Sequence, residues 1–214
     1  MINHTGVTEA QTLATGEKGQ IVLLGGMDKD RIVVGGTLDA SAPNGGDGGF
    51  IETSAAKVAF VDGVKITTAA PRGETGQWLI DPVDFTIAAS GGDITGANLS
   101  GLLVSNSVTI HTETGTNSTI DVYGANGANG DIFVNDAVTW NAATKLTLQA
   151  HGNININTDI TASHANGQVA LYYGQGAVAS GNTAAYRFRN GAKINLKAGD
   201  NFFTKLGSDG AAAT

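Results

Sequence analysis

Cysteine is absent from the 214 residues, so disulfides, thiolate catalysis and cysteine-ligated zinc are all excluded. Proline occurs three times, and charged residues make up 14% of the chain, against roughly a quarter in ordinary globular domains. Lys and Arg together number 12 against 19 Asp and Glu, giving a formal net charge of −7. A chain of that sign has no electrostatic footing on a phosphate backbone, which argues against nucleic acid as a partner. No apolar run approaches the ~20 residues of a membrane-spanning helix, and membrane insertion is not expected. The scarcity of Lys, Glu and Arg removes the usual surface of exposed helices. Apolar residues do not recur at three, four and seven anywhere, so no helix longer than a turn or two is expected.

What is abundant is glycine, at 31 residues, among Thr, Asn, Ala and Ser, with 41% hydrophobic residues. That hydrophobic share is too high for a disordered chain. The combination fits short strands broken by tight turns. One unit recurs: glycine, a polar residue, three to five apolar or alternating residues, then a turn. It opens at Gly19, Gly48, Gly76, Gly130, Gly152 and Gly167. The first three openings lie 29 and 28 residues apart, and Gly130 and Gly152 lie 22 apart. Periods of this length belong to solenoids, propellers or arrays. Shorter segments of the same form, such as Arg31-Ile32-Val33-Val34 and Val64-Lys65-Ile66-Thr67, fall between them. In Asn153-Ile154-Asn155-Ile156-Asn157 a period of two places the Ile pair on one face and the Asn set on the other.

Asn-Gly pairs at 44–45, 126–127, 129–130, 166–167 and 190–191 supply positions that tolerate positive φ. Short strands with corners suit a coil climbing about an axis better than hairpins do. The fold expected is all-β, a right-handed parallel β-helix of about seven to nine coils, running about 35–45 Å as one segment over residues 1–214. A loop excursion is expected over 174–190, and the ends of the stack are expected to be open, frayed or capped.

Two segments carry a resemblance. Gly48-Gly49-Phe50-Ile51-Glu52-Thr53-Ser54 is followed by Gly76-Gln77-Trp78-Leu79-Ile80-Asp81-Pro82 and then Phe85-Thr86-Ile87. This order resembles the filamentous-haemagglutinin-like large exoproteins, the passengers of two-partner secretion. The run Gly191-Ala192-Lys193-Ile194-Asn195-Leu196-Lys197-Ala198-Gly199, with Asn201 to Gly207, resembles a recurring segment of the same proteins. The resemblance implies a right-handed parallel β-helix, export through an outer-membrane transporter partner to a Gram-negative cell surface, and a role in adhesion. No Asn-Pro dipeptide of the family's secretion domain occurs, which implies a fragment from downstream of that domain. Met1 to Thr5 has no signal-peptide character, so any targeting segment is expected outside these residues, and the Asp209–Thr214 end reads as a cut.

Catalytic residues, cofactors and metal are not expected, and the chain reads as a monomer rather than an enzyme. Trp78 with Asp81 and Pro82 could offer an acid beside an aromatic platform for sugar. A structural corner is preferred: Trp78 packs, Asp81 caps the turn and Pro82 sets direction, with Gly49, Phe50, Glu52 and Thr53 as further structural motif residues. Asp28, Asp30, Asp39 and Asp47 near the glycine run read as turn residues rather than calcium ligands. His4, His111, His151 and His164 have no metal-binding spacing, although His151 and His164 could meet on neighbouring coils. None of the five glutamates sits beside a second carboxylate. The binding-like cluster is Tyr172, Tyr173, Tyr186, Arg187, Phe188 and Arg189, where aromatic and guanidinium groups could take a glycan or a protein of host or matrix. Packing of those aromatics is the preferred alternative. The function expected is that of an adhesive passenger segment. The alternatives are an inert stalk of a contact-dependent toxin or haemolysin, or a β-helical polysaccharide-active enzyme.

Overall fold

The computed structural model describes residues 1–13, 16–114 and 129–209. The chain is all-β with parallel sheets and one short helix among the described residues. The Asn126-Gly127 turn lies outside those residues.

The longest sheet explains the glycine spacing. Its strands are β3 (Gln20–Leu24), β6 (Phe50–Ser54), β9 (Gln77–Asp81), β11 (Ser107–His111), β14 (Lys145–Gln149), β17 (Gln168–Val178) and β20 (Phe202–Ser208). They pair parallel in that order, and β3 and β20 are its outermost strands. Register is strict: Ile21 lies beside Ile51, Ile51 beside Trp78, Trp78 beside Val108, Val108 beside Leu146, and Leu146 beside Val169. Strand alternation turns that row into the core, where Ile51, Trp78, Val108, Leu146 and Val169 are all fully buried. A buried aliphatic side chain contributes roughly 1.5–3 kcal/mol, so each such row is a substantial part of the core.

Between successive strands of this sheet the chain passes through two narrower ones. On one side of the molecule these are β1 (Ile2–His4), β4 (Arg31–Val34) and β7 (Lys57–Phe60), then β2 (Val7–Glu9), β5 (Thr37–Asp39) and β8 (Lys65–Thr67). Further along they are β10 (Phe85–Ile87), β12 (Ile132–Val134), β15 (Ile154–Ile156) and β18 (Tyr186–Phe188), then β13 (Val138–Trp140), β16 (Ile160–Ala162) and β19 (Ile194–Leu196). The 22-residue spacing of Gly130 and Gly152 therefore belongs to β12 and β15, a different sheet from the one opened by Gly19, Gly48 and Gly76.

The helix α1 (Gly96–Leu102) stands between β8 and β13, where a third strand of its turn would otherwise run. Thr95 caps it, its hydroxyl accepting from the Asn98 N–H at 3.2 Å. Leu99, Leu102 and Leu103 form its buried face, a spacing of three and four. Side chains around the helix satisfy backbone groups that a missing strand would leave orphaned. Asn106 Nδ2 donates to Ile66 O at 2.8 Å and to Leu102 O at 2.7 Å, while Ser100 Oγ accepts from the Thr139 N–H at 2.8 Å. The seven residues stay within the two turns that the sequence allows.

Nearby, Asp93 lies 2% exposed with Lys57 Nζ 2.6 Å from its Oδ1, and its Oδ2 accepts from the Thr86 N–H at 2.8 Å. Burial dominates there and leaves the carboxyl raised, against the opposing pull of Lys57, the Thr86 N–H and Arg31.

The excursion expected over 174–190 is narrower in the structure. Residues up to Val178 continue β17, with a register irregularity between Tyr173 and Val178, and Tyr186 already belongs to β18. Gly174, at φ 65, makes the bend possible, and Asn182 Nδ2 ties the loop back to Gly174 O at 2.6 Å.

Candidate functional site

The residues carrying the exoprotein resemblance interlock across β6 and β9. Trp78 has no exposed surface, its ring meets Phe60 edge-on at 4.9 Å, and its Nε1 donates to Thr53 Oγ1 at 3.3 Å. Thr53 in turn donates to Leu79 O at 3.3 Å. Trp78 is therefore no sugar platform. Glu52 points the other way and accepts from the Ser54 hydroxyl at 2.7 Å. Gly49 lies where a Cβ would stand 2.1 Å from Gly19 O. Phe50 begins β6 on the outer side, and Pro82 is buried, its carbonyl accepting from the Glu113 N–H at 3.0 Å.

Asp81 departs from the expected turn cap. It ends β9 on the outer face, and His111 ends β11 beside it on the neighbouring strand. His111 Nδ1 is 3.1 Å from Asp81 Oδ1, and both side chains are about four-fifths buried, at 20% and 19% exposure. Glu113 joins them: donor atoms of Asp81, His111 and Glu113 all lie within 4.8 Å of one another. Burial is the largest influence on the imidazole and works to lower its pKa. The Asp81 hydrogen bond, the Asp81 charge and the Glu113 charge together outweigh it, leaving the group raised. The adjoining positions of this outer column are Ser54 on one side and Gln149, Tyr172 and Lys205 on the other. Two carboxylates and an imidazole thus come together on the outer face, with the column's lysine three strands away.

Sequence spacing hid this cluster because 30 residues separate Asp81 from His111. The available signal was His111-x-Glu113, which sets two ligating side chains on the same side of an extended segment.

Just inside, Asp84 is 4% exposed and its Oδ1 accepts from the Asp131 N–H at 2.8 Å. Burial pushes its carboxyl up to about 6; the N–H groups of Asp131, Asn129 and Gly130 oppose that shift, and the Asp131 charge adds to it. A folded-state pKa above the unfolded 3.8 means the folded chain holds this proton more tightly. Its contribution to stability is complete below about pH 3.8 and is lost as pH rises through about 6. Asp84→Asn keeps an acceptor for the Asp131 N–H and removes the titration. Urea midpoints measured across this range should fall less with rising pH in the variant than in the parent chain. Parallel curves would show that Asp84 does not titrate as described.

The six-residue aromatic and arginine cluster divides between sheets and faces. Tyr173 and Tyr186 pack against the core with rings 5.2 Å apart, and Phe188 meets Tyr186 at 5.9 Å. Phe188 continues the Val134–Ile156 row yet is 44% exposed, because no described strand pairs beyond β18. Tyr186 and Phe188, with Ile194, Leu196 and Phe202, line an open apolar hollow of about 350 Å³ at the end of the core. Tyr172 faces outward on the long sheet, whereas Arg187 faces outward on another sheet and donates to Asn153 Oδ1 at 2.8 Å. Arg189 is exposed just past β18. The outer Asn row is also less exposed than its polarity suggested: Asn155, between Phe133 and Arg187, is 7% exposed.

The remaining candidates serve turns. Asp30 accepts from the Gly26 N–H, Asp39 from the Ser41 N–H, and Asp47 from the Glu74 N–H while pairing with Lys18. His151 and His164 follow β14 and β16 at different corners, so they form no pair. His4 is held by Gly35 O and Thr8 Oγ1.

Compared with protein-family models, with curated proteins and with solved structures, the chain matches none. No helix among the described residues is long and apolar enough to cross a membrane.

Proposed function

We propose that the chain is a segment of a right-handed parallel β-helix in a large exported protein of the filamentous-haemagglutinin-like kind, and that it acts by presenting an extended surface for attachment rather than by catalysis. The observation that carries this reading is the seven-strand parallel sheet, in which one buried row and the rows of outward side chains repeat strand after strand. A backbone ladder of that kind resists bending and proteolysis without disulfides, because strand edges occur only at its ends. The resemblance-bearing residues support a structural role, since Trp78, Thr53 and Gly49 are all used in packing one strand on the next. On this reading the full-length protein reaches a Gram-negative surface through its transporter partner, and this segment is monomeric. Its partners are glycans or proteins of host or matrix, met by outward side chains.

The test is a glycan and matrix-protein binding screen with the whole chain, repeated with Tyr172→Ala and with Arg187→Ala combined with Arg189→Ala. All three side chains lie on the outer side of their strands or just past them, so thermal stability should change little. Binding to at least one surface class is expected, with about a tenfold loss in the variant that removes the contact, equivalent to about 1.4 kcal/mol. A parent chain that binds nothing in the screen would replace attachment with the inert stalk of a toxin or haemolysin.

A further inference from the structure

We propose that Asp81, His111 and Glu113 form a binding site for a divalent first-row transition-metal ion, with zinc(II) as its representative. The reading is independent of export and attachment. It rests on three features that meet at one place.

The first is donor chemistry. One imidazole nitrogen and two carboxylate oxygens suit a borderline ion such as zinc(II), whereas calcium and magnesium take oxygen donors almost alone. The second is spacing. Bonds of about 2.0–2.2 Å to one ion place neighbouring donor atoms roughly 3–3.5 Å apart. His111 Nδ1 and Asp81 Oδ1 already stand at 3.1 Å, and the Glu113 oxygen lies within 4.8 Å of both.

The third is preorganisation. Asp81 and His111 follow the laterally paired Ile80 and Ile110 at the ends of β9 and β11. Glu113 is fixed to the same two segments through its N–H bond to Pro82 O at 3.0 Å. Thr112 between the two ligands is buried, its hydroxyl donating to Gly130 O at 2.7 Å, which keeps His111 and Glu113 directed to one side. A metal bound by both would take the place of the present contact between His111 Nδ1 and Asp81 Oδ1 and would clamp β9 to β11. With three protein donors, coordination positions remain for water or for an oxygen-rich ligand.

The experiment uses the whole chain without a histidine tag. Zinc(II) is titrated against a chromophoric chelator, and cobalt(II) is added separately to read its visible absorption. One zinc per chain is expected, with the thermal midpoint rising as zinc is added. Glu113→Gln preserves size and should weaken binding about tenfold to 100-fold, as should His111→Ala. His151→Ala should leave binding unchanged. Cobalt(II) should acquire an absorption that Glu113→Gln alters, a readout that does not depend on stability. Circular dichroism establishes that each variant is folded, and Glu113→Gln carries the test if His111→Ala is not. Absence of stoichiometric binding to the parent chain would overturn the proposal. So would binding that survives Glu113→Gln at full strength or disappears in His151→Ala.

Discussion

Gly49→Ala is expected to destabilise the chain by about 3 kcal/mol, the upper part of the usual range for overpacking. The added Cβ would lie 2.1 Å from Gly19 O and 3.0 Å from Ala40 O, and both obstacles are backbone. Neither can swing aside as a side chain would, because both carbonyls accept hydrogen bonds from neighbouring segments: Gly19 O from the Phe50 N–H and Ala40 O from the Gly49 N–H itself. The same contact recurs one strand later, where a Cβ on Gly76 would stand 2.0 Å from Gly49 O. Gly101→Ala is the matched control. Nothing beyond the chain neighbours and the helix's own backbone lies within 4 Å of the Cβ position there, and the site is helical, so that substitution should stabilise by up to about 1 kcal/mol. Urea unfolding of the two variants checks both signs at once. Equal effects would show that the corner is not closed as described.

Trp78→Ala should cost about 3–5 kcal/mol, the range for truncating a fully buried large aromatic. The loss combines the void beside Phe60, whose ring is 4.9 Å away, with the bond to Thr53 Oγ1. Trp78→Phe should recover more than half of it, since an edge-on partner for Phe60 remains and only the indole N–H and part of the volume are missing. Chemical unfolding followed by far-UV circular dichroism measures both. A Trp78→Ala chain as stable as the parent would place the indole outside the core. It would also restore the aromatic-platform reading that its burial removes.

The glycine openings made much of the fold legible. Gly19 and Gly76 share a row with Gly49, one residue past the expected opening at Gly48, because a side chain at that corner would strike neighbouring backbone. The row continues where no glycine announced it. Asn106 and Thr144 occupy the same position before β11 and β14, each buried, with the Thr144 hydroxyl bonded to Leu103 O and Asn106 to Ile66 O. A side chain that satisfies a backbone carbonyl can stand where glycine merely avoids a clash, and composition does not distinguish the two. That substitution is why the spacing broke after Gly76. Gly130 and Gly152 then resumed the signal on another sheet.

Turn chemistry was readable in part, with φ 135 at Gly45, 71 at Gly130, and 55 and 74 at Asn190 and Gly191, whereas Asn166 and Gly167 turn without positive φ. The aromatic cluster was readable as a cluster but not as a division between faces. Tyr172 and Tyr173 are adjacent, and adjacent strand residues point to opposite sides. The Asp81, His111 and Glu113 grouping needed the length of one full turn of chain, a quantity set by the intervening helix and loops rather than by any local motif.

The central claim is that consecutive turns of chain lie parallel and in register, and the absence of cysteine allows a direct chemical test. Three double variants each join outward, laterally paired positions: Val22→Cys with Glu52→Cys, Leu79→Cys with Thr109→Cys, and Tyr172→Cys with Lys205→Cys. Parallel neighbours about 4.8 Å apart fall within the 4.4–6.8 Å Cα separation of a disulfide. Mild oxidation followed by mass spectrometry should find an intramolecular bond in all three, and none when Leu79→Cys is combined with Ser107→Cys, two residues out of register. Failure of the paired positions to join, or equal joining of the mismatched pair, would contradict the stacked arrangement.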